Sequence, residues 1–182
     1  MRFLTVLAVL CLILTGTLFA STVLTQVIAG GTMTLSYPSD ITLGGVTIGG
    51  ASSITSNNNM GTYTVEDARG TQAGWNLGFN IGQFTTSGTP ARTIPVAGFN
   101  MSITSGNITL VFGQAIDATG GPKSLYTSNY NVQATEIKFV TAGDGYGAGK
   151  YNMSTEHALS VPAAAYAGTY TATLTATLNT AP

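Results

Sequence analysis

The chain reads as an all-β protein, an antiparallel β-sandwich of roughly eight or more strands. Three observations predict this fold. Short β-rich runs are split by Gly, Asn and Pro clusters along the whole chain. Large apolar residues alternate with small or polar ones in strict period 2. No helical segments alternate with these runs, so a parallel α/β sheet is not expected.

The runs follow in order. Thr32–Leu35 opens, and Ser36-Tyr37-Pro38-Ser39-Asp40 turns. Ile41–Ile48 is expected as a strand interrupted by Gly44-Gly45. Ser52–Asn59 ends in three asparagines and is expected as a turn or loop. Met60–Glu66 reads as a strand and Asp67–Gly74 as a turn. The clearest strand is next: Trp75, Leu77, Phe79 and Ile81 share one face, with Asn76, Gly78, Asn80 and Gly82 on the other. Phe99, Met101 and Ile103 alternate likewise, as do Ile108, Leu110 and Phe112. Gly113–Gln133 is loop-rich and is where a helical turn or two would fall. Thr135–Val140 is a strand, Asp144–Gly149 a flexible turn, and Leu159 and Val161 end a further strand before Pro162. Tyr170, Ala172, Leu174, Ala176 and Leu178 alternate with Thr171, Thr173, Thr175 and Thr177 in a long terminal strand. The sequence shows no fixed-period repeat.

Met1–Ala20 has the build of a secretory signal. Arg2 supplies the positive start, and Phe3–Leu14 is an apolar run too short to span a bilayer. Cleavage is expected between residues 20 and 30, after Ala20 or after Val27-Ile28-Ala29. A retained membrane anchor is the rival reading, weakened by Thr15-Gly16-Thr17. Residues 1–29 are thus assigned to the signal and 30–182 to a single domain. The remaining length of about 155 residues suits one core. Cys11 is the only cysteine and lies in the apolar run, so disulfides and thiol catalysis are not expected in the exported part.

Charged residues make up 7% of the chain while apolar ones make up 44%, which excludes intrinsic disorder. The net charge of −1 becomes −2 once Arg2 is removed. The other basic residues, Arg69, Arg92, Lys123, Lys138 and Lys150, are scattered, so nucleic acid is not an expected partner. A near-neutral surface permits self-association.

Catalytic equipment is sparse. His157 is the only histidine, no G-x-S-x-G elbow accompanies it, and it is expected at the surface or a strand edge. A zinc site takes several His or Cys ligands, and with one histidine and no exported cysteine no metal or cofactor is expected. Nothing selects a pair of carboxylates among Asp40, Glu66, Asp67, Asp117, Glu136, Asp144 and Glu156 for glycosidase chemistry. Asp117-Ala-Thr-Gly120 and Asp144-Gly145 read as turns rather than calcium loops. Asn100, Asn107 and Asn152 begin N-glycosylation sequons. Trp75 is the only tryptophan; its phase with Leu77 and Phe79 favours the core, against a stacking contact with a sugar.

Two segments carry a family resemblance. Tyr63-Thr-Val-Glu-Asp67-Ala-Arg69-Gly70-Thr-Gln-Ala-Gly74-Trp75-Asn-Leu77 resembles the V-x-D-x-R-G segment and G-W-x-L of the WxL domain of Gram-positive surface proteins. Ala167-Gly168-Thr169-Tyr170, Leu174-Thr175-Ala176-Thr177-Leu178 and Ala181-Pro182 resemble that family's distal A-G-x-Y, L-T-W-x-L and terminal A-P. The family's second tryptophan falls on Ala176. The resemblance implies a secreted, non-catalytic cell-surface module. It would bind the cell wall, namely peptidoglycan, non-covalently and assemble with other WxL-type surface proteins. It implies binding roles for Trp75, Leu77, Tyr170, Leu174 and Leu178 and structural roles for Asp67, Arg69, Gly70 and Gly74. The rival reading is a structural subunit of a surface fibre or layer, assembled through its regular Thr-rich edge strand.

Overall fold

A computed structural model describes residues 24–49, the backbone of 53–57, and residues 61–181. The signal segment up to Ala20 lies outside the described residues. The first strands are β1 (Met33–Ser36), β2 (Ser53–Asn57), β3 (Thr62–Asp67), β4 (Trp75–Ile81), β5 (Phe84–Thr85), β6 (Thr93–Ile94) and β7 (Phe99–Ser102). There follow β8 (Ile108–Gly113), β9 (Lys123–Ser124), β10 (Tyr130–Asn131), β11 (Ile137–Ala142), β12 (Gly149–Ser154), β13 (Glu156–Val161) and β14 (Leu174–Thr180). All pairings are antiparallel. The protein is an all-β sandwich.

Sheet I has the order β1-β3-β12-β8, sheet II β10-β7-β13-β2 and sheet III β14-β4-β11-β9; β5 and β6 form a ribbon. Sheets I and II share a strand path. Only Thr155 separates β12 from β13, while five residues, Ile103–Asn107, separate β7 from β8 on the neighbouring strand. The pair β12–β8 of sheet I thus runs on into the pair β13–β7 of sheet II. Sheet III packs against sheet I through β4. Phe79 meets Tyr63 edge-on at 5.0 Å between ring centroids, and Trp75 meets Tyr151 at 6.1 Å. The ribbon closes on sheet II through Phe84 and Phe99 at 5.7 Å. Trp75, Leu77, Phe79, Phe139, Tyr151 and Met101 have no exposed surface and form the centre of the core. Burying each large apolar side chain contributes about 1.5–3 kcal/mol.

Several local expectations are corrected. Ile41–Ile48 forms no strand; the Gly44-Gly45 pair sits in its middle, and glycine weakens a strand. Ser53–Asn57, expected as loop, is a strand pairing with β13. Its ladder is made by backbone groups, which a polar run supplies as well as an apolar one. Gly149–Ser154 is a central strand of sheet I. Gly113–Gln133 contains no helix; the two short 3₁₀ turns are at Val96–Gly98 and Ser105–Asn107. The terminal strand begins at Leu174, Thr171 making an isolated bridge to Thr85.

Candidate functional site

The turn after β3 is held by charge. The Arg69 guanidinium donates from Nε to Asp67 Oδ1 and from Nη2 to Asp67 Oδ2, both at 2.8 Å. It also donates to the Gly74 carbonyl at 2.7 Å and to the Thr180 hydroxyl at 2.8 Å. The backbone N–H of Ala181 donates to the same Gly74 carbonyl at 3.2 Å. One side chain thus ties the Asp67–Gly74 turn to the end of β14. The Asp67 side chain is 2% exposed and that of Arg69 is 17% exposed. The hydrogen bonds from Arg69 hold the Asp67 carboxyl below the usual range, against the opposing effect of burial. Gly74 has φ +66°, and a Cβ there would lie 2.3 Å from the Ala142 carbonyl oxygen. Both the backbone conformation and the space demand glycine.

Beyond this clasp lies Trp75, fully buried, its indole N–H donating to the Gly147 carbonyl at 3.0 Å. A Cβ on Gly147 would approach Nε1 to 2.7 Å. Leu77 is equally buried. Neither side chain reaches the surface, so the interior position is the one occupied and the sugar-contact reading of Trp75 falls away. β14 pairs directly with this strand: Leu178 lies opposite Leu77, Ala176 opposite Phe79 and Leu174 opposite Ile81. Leu174, Ala176 and Leu178 are half-buried at the margin of the core.

That margin opens into a groove of about 1270 Å³. One wall is the irregular segment 37–48 and the other runs from Tyr166 to Ala176. Tyr63, Phe84, Ile94, Leu159 and Val161 line it between them. Tyr37 and Tyr166 are exposed at its rim, and the Tyr170 hydroxyl donates to the Tyr166 carbonyl at 2.9 Å. The Arg92 guanidinium carbon lies 3.8 Å from the centroid of the Tyr166 ring. Among the described residues that line the groove, Asp40 is the one that carries a charge. The groove therefore offers aromatic faces, apolar side chains and Ser or Thr hydroxyls with little charge.

The arrangement unites the two separated sequence motifs in one structure, the clasp and β4 from the first, β14 from the second. A model of the family described as WxL domain, surface cell wall-binding, matches residues 25–182. The chain belongs to the WxL family. No curated protein and no solved structure matches it. WxL domains are cell-surface modules that bind the cell wall.

In this WxL domain Asp67, Arg69 and Gly74 form the clasp, and Gly70, with φ +73°, makes its turn. Ala176, where the family's second tryptophan is expected, lines the groove instead of filling it. Sequence reasoning missed Thr180, Gly147, Tyr37 and Tyr166. Tyr37 stands in a turn and Tyr166 in an irregular segment, where no periodicity marks them.

His157 is not at the surface. It is 2% exposed on β13, stacked on Phe99 at 5.5 Å, and neither ring nitrogen has a partner among the described residues. Burial lowers its pKa to about 4, so it is a neutral core residue. Glu66, Asp67 and Asp117 are engaged in structural contacts. Glu66 pairs with Lys150 at 3.1 Å, and Asp117 accepts N–H bonds from Thr119 and Gly120 in a tight turn. The described residues contain no cluster of three or more His, Cys, Asp or Glu able to hold a metal, and no helix long and apolar enough to cross a membrane.

Proposed function

We propose that this WxL domain is exported by its N-terminal signal and acts without catalysis, holding peptidoglycan non-covalently in the groove between 37–48 and 166–176. The observation that carries this reading is the exposed aromatic rim, Tyr37 and Tyr166, beside the half-buried Tyr170 and the distal motif. A sugar ring presents C–H faces that stack on an aromatic ring, and hydroxyls that exchange hydrogen bonds with Thr, Ser and backbone groups. An amphipathic tyrosine serves both needs. The groove exceeds the size of an ordinary small-molecule pocket, which suits an extended polymer. Of the residues assigned to binding by resemblance, Tyr170 and Leu174 line this groove, Leu178 lies further along β14, and Trp75 and Leu77 support it from within.

Retention of the protein from Ser21 onward on purified peptidoglycan tests this. Tyr166→Ala and Tyr170→Ala should each weaken retention at least tenfold while the fold is kept. Retention no greater than that of denatured protein would sink the proposal. Clearing of a cell-wall suspension by the same protein would sink its non-catalytic part.

A second reading, assembly with other WxL-type proteins or with further copies of itself, is favoured by a separate observation. β14 and β8 both stand at sheet edges, each with an outward backbone that pairs with no other strand among the described residues.

A further inference from the structure

The two most exposed apolar stretches outside the groove lie on opposite sides of sheet I. The first is the arm that precedes β1, where Leu24, Val27 and Ile28 are 80–90% exposed and no strand forms. The second is the outer edge of β8, where Leu110, Val111 and Phe112 are 40–53% exposed. No charged residue occurs between Arg2 and Asp40, or between Arg92 and Asp117. Exposed edges are ordinarily protected by lysine, proline or a bulge. β8 has only the bulge, at Val111, where Phe112 pairs with Lys150 and Leu110 with Tyr151.

We infer that the arm of one copy adds as a strand to the β8 edge of the next copy. This rests on the self-assembly reading and names the surfaces that would carry it. The arm is anchored where Gly31 N–H donates to Ala68 O at 2.7 Å and Ala68 N–H donates to Thr32 O at 3.1 Å. From β1, its own chain's β8 edge lies beyond β3 and β12. Four strand spacings of about 4.8 Å separate β1 from a strand laid outside β8, or about 19 Å. Leu24–Ala29 extends only about 20 Å, so the arm is spent in reaching its own edge and cannot also pair along it. A second copy removes that limit. Because donor and acceptor are different surfaces, the contact is head-to-tail and propagates into a linear assembly unless the ring closes. Backbone hydrogen bonds provide the pairing, and Val27 and Ile28 cover apolar surface at Leu110 and Phe112. The family match starts at residue 25, which places most of the arm within the domain.

The test is sedimentation velocity and electron microscopy of the chain beginning at Ser21, with Ile28→Glu and Phe112→Glu as variants. Glu at 112 lies opposite Lys150, so the monomer should tolerate it. The native chain should form concentration-dependent linear oligomers, and each variant should be monomeric. An equimolar mixture of the variants should form dimers and stop there, since one retains only the edge and the other only the arm. Circular dichroism and Trp75 emission report that each variant is folded. A monomeric native chain would overturn this inference and the self-assembly reading together. Oligomers that survive either substitution, or a mixture that stays monomeric, would overturn the arm-to-edge contact and leave assembly through another surface standing. N-terminal sequencing of the exported chain is a separate check: a start at Gly30 removes the arm and overturns the inference.

Discussion

Replacing Arg69 with leucine removes the four side-chain hydrogen bonds of the clasp and leaves Asp67 charged in a site 2% exposed. Breaking one partner of a buried ion pair costs about 3–5 kcal/mol, because the remaining charge is uncompensated. Arg69 retains some contact with water, so the lower figure of about 3 kcal/mol applies. For a domain of this size, urea slopes near 2 kcal/mol per molar convert that loss to a midpoint shift of about 1.5 M. Trp75, the only tryptophan and fully buried, is a direct fluorescence reporter of unfolding. The pH dependence has a definite sign. The Asp67 pKa in the folded state lies below its unfolded value of about 3.9. Its contribution is therefore complete above that value and is lost as pH falls through the folded pKa. The gap between native protein and R69L should narrow as pH falls from neutral, first because burial without its partner raises the Asp67 pKa in the variant and protonation relieves it, and then because native Asp67 is itself protonated below about pH 4. Adding Asp67→Asn should recover part of the loss at neutral pH. A loss under about 1 kcal/mol, typical of exposed pairs, would refute the clasp as a stabilising element.

Other expectations follow from single sites. Gly74→Ala should destabilise by more than about 3 kcal/mol, since it combines a left-handed backbone with a clash against Ala142 O; thermal unfolding reads this. His157 has a folded pKa of about 4, below its unfolded value near 6.5. Native stability should be full above pH 6.5 and fall by about 3 kcal/mol as pH drops to 4. His157→Leu should remove that slope, and an unchanged slope in urea titrations across this range would count against it. Ala176→Trp should change stability by less than about 1 kcal/mol, because the side chain enters an open groove.

How much was legible depended on what each residue answers to. The alternation of Trp75, Leu77, Phe79 and Ile81 predicts a strand and its buried face, and both are found. Period 2 is a local geometric property, so it survives whatever partner the strand finds. Glu66 and Asp67, neighbours on one extended strand, make separate contacts, one paired with Lys150 and the other buried beside Arg69. Ser53–Asn57 escaped notice because backbone ladders need no apolar signal. His157 was misplaced because one histidine beside Glu156 gives no clue to the depth of its strand.

By itself, then, the sequence determined the all-β class, the phase of the major strands and the family, since each depends on neighbouring residues or motif spacing. Only the tertiary structure decided what those motifs do. Arg69 and Thr180 stand 111 positions apart, and nothing local records that a guanidinium will bridge them. Likewise the irregular 37–48 segment and the end strand enclose a groove beside Ala176. Whether a tyrosine or a tryptophan faces solvent depends on which sheet edge lies across from it, and that is settled by packing between distant parts of the chain.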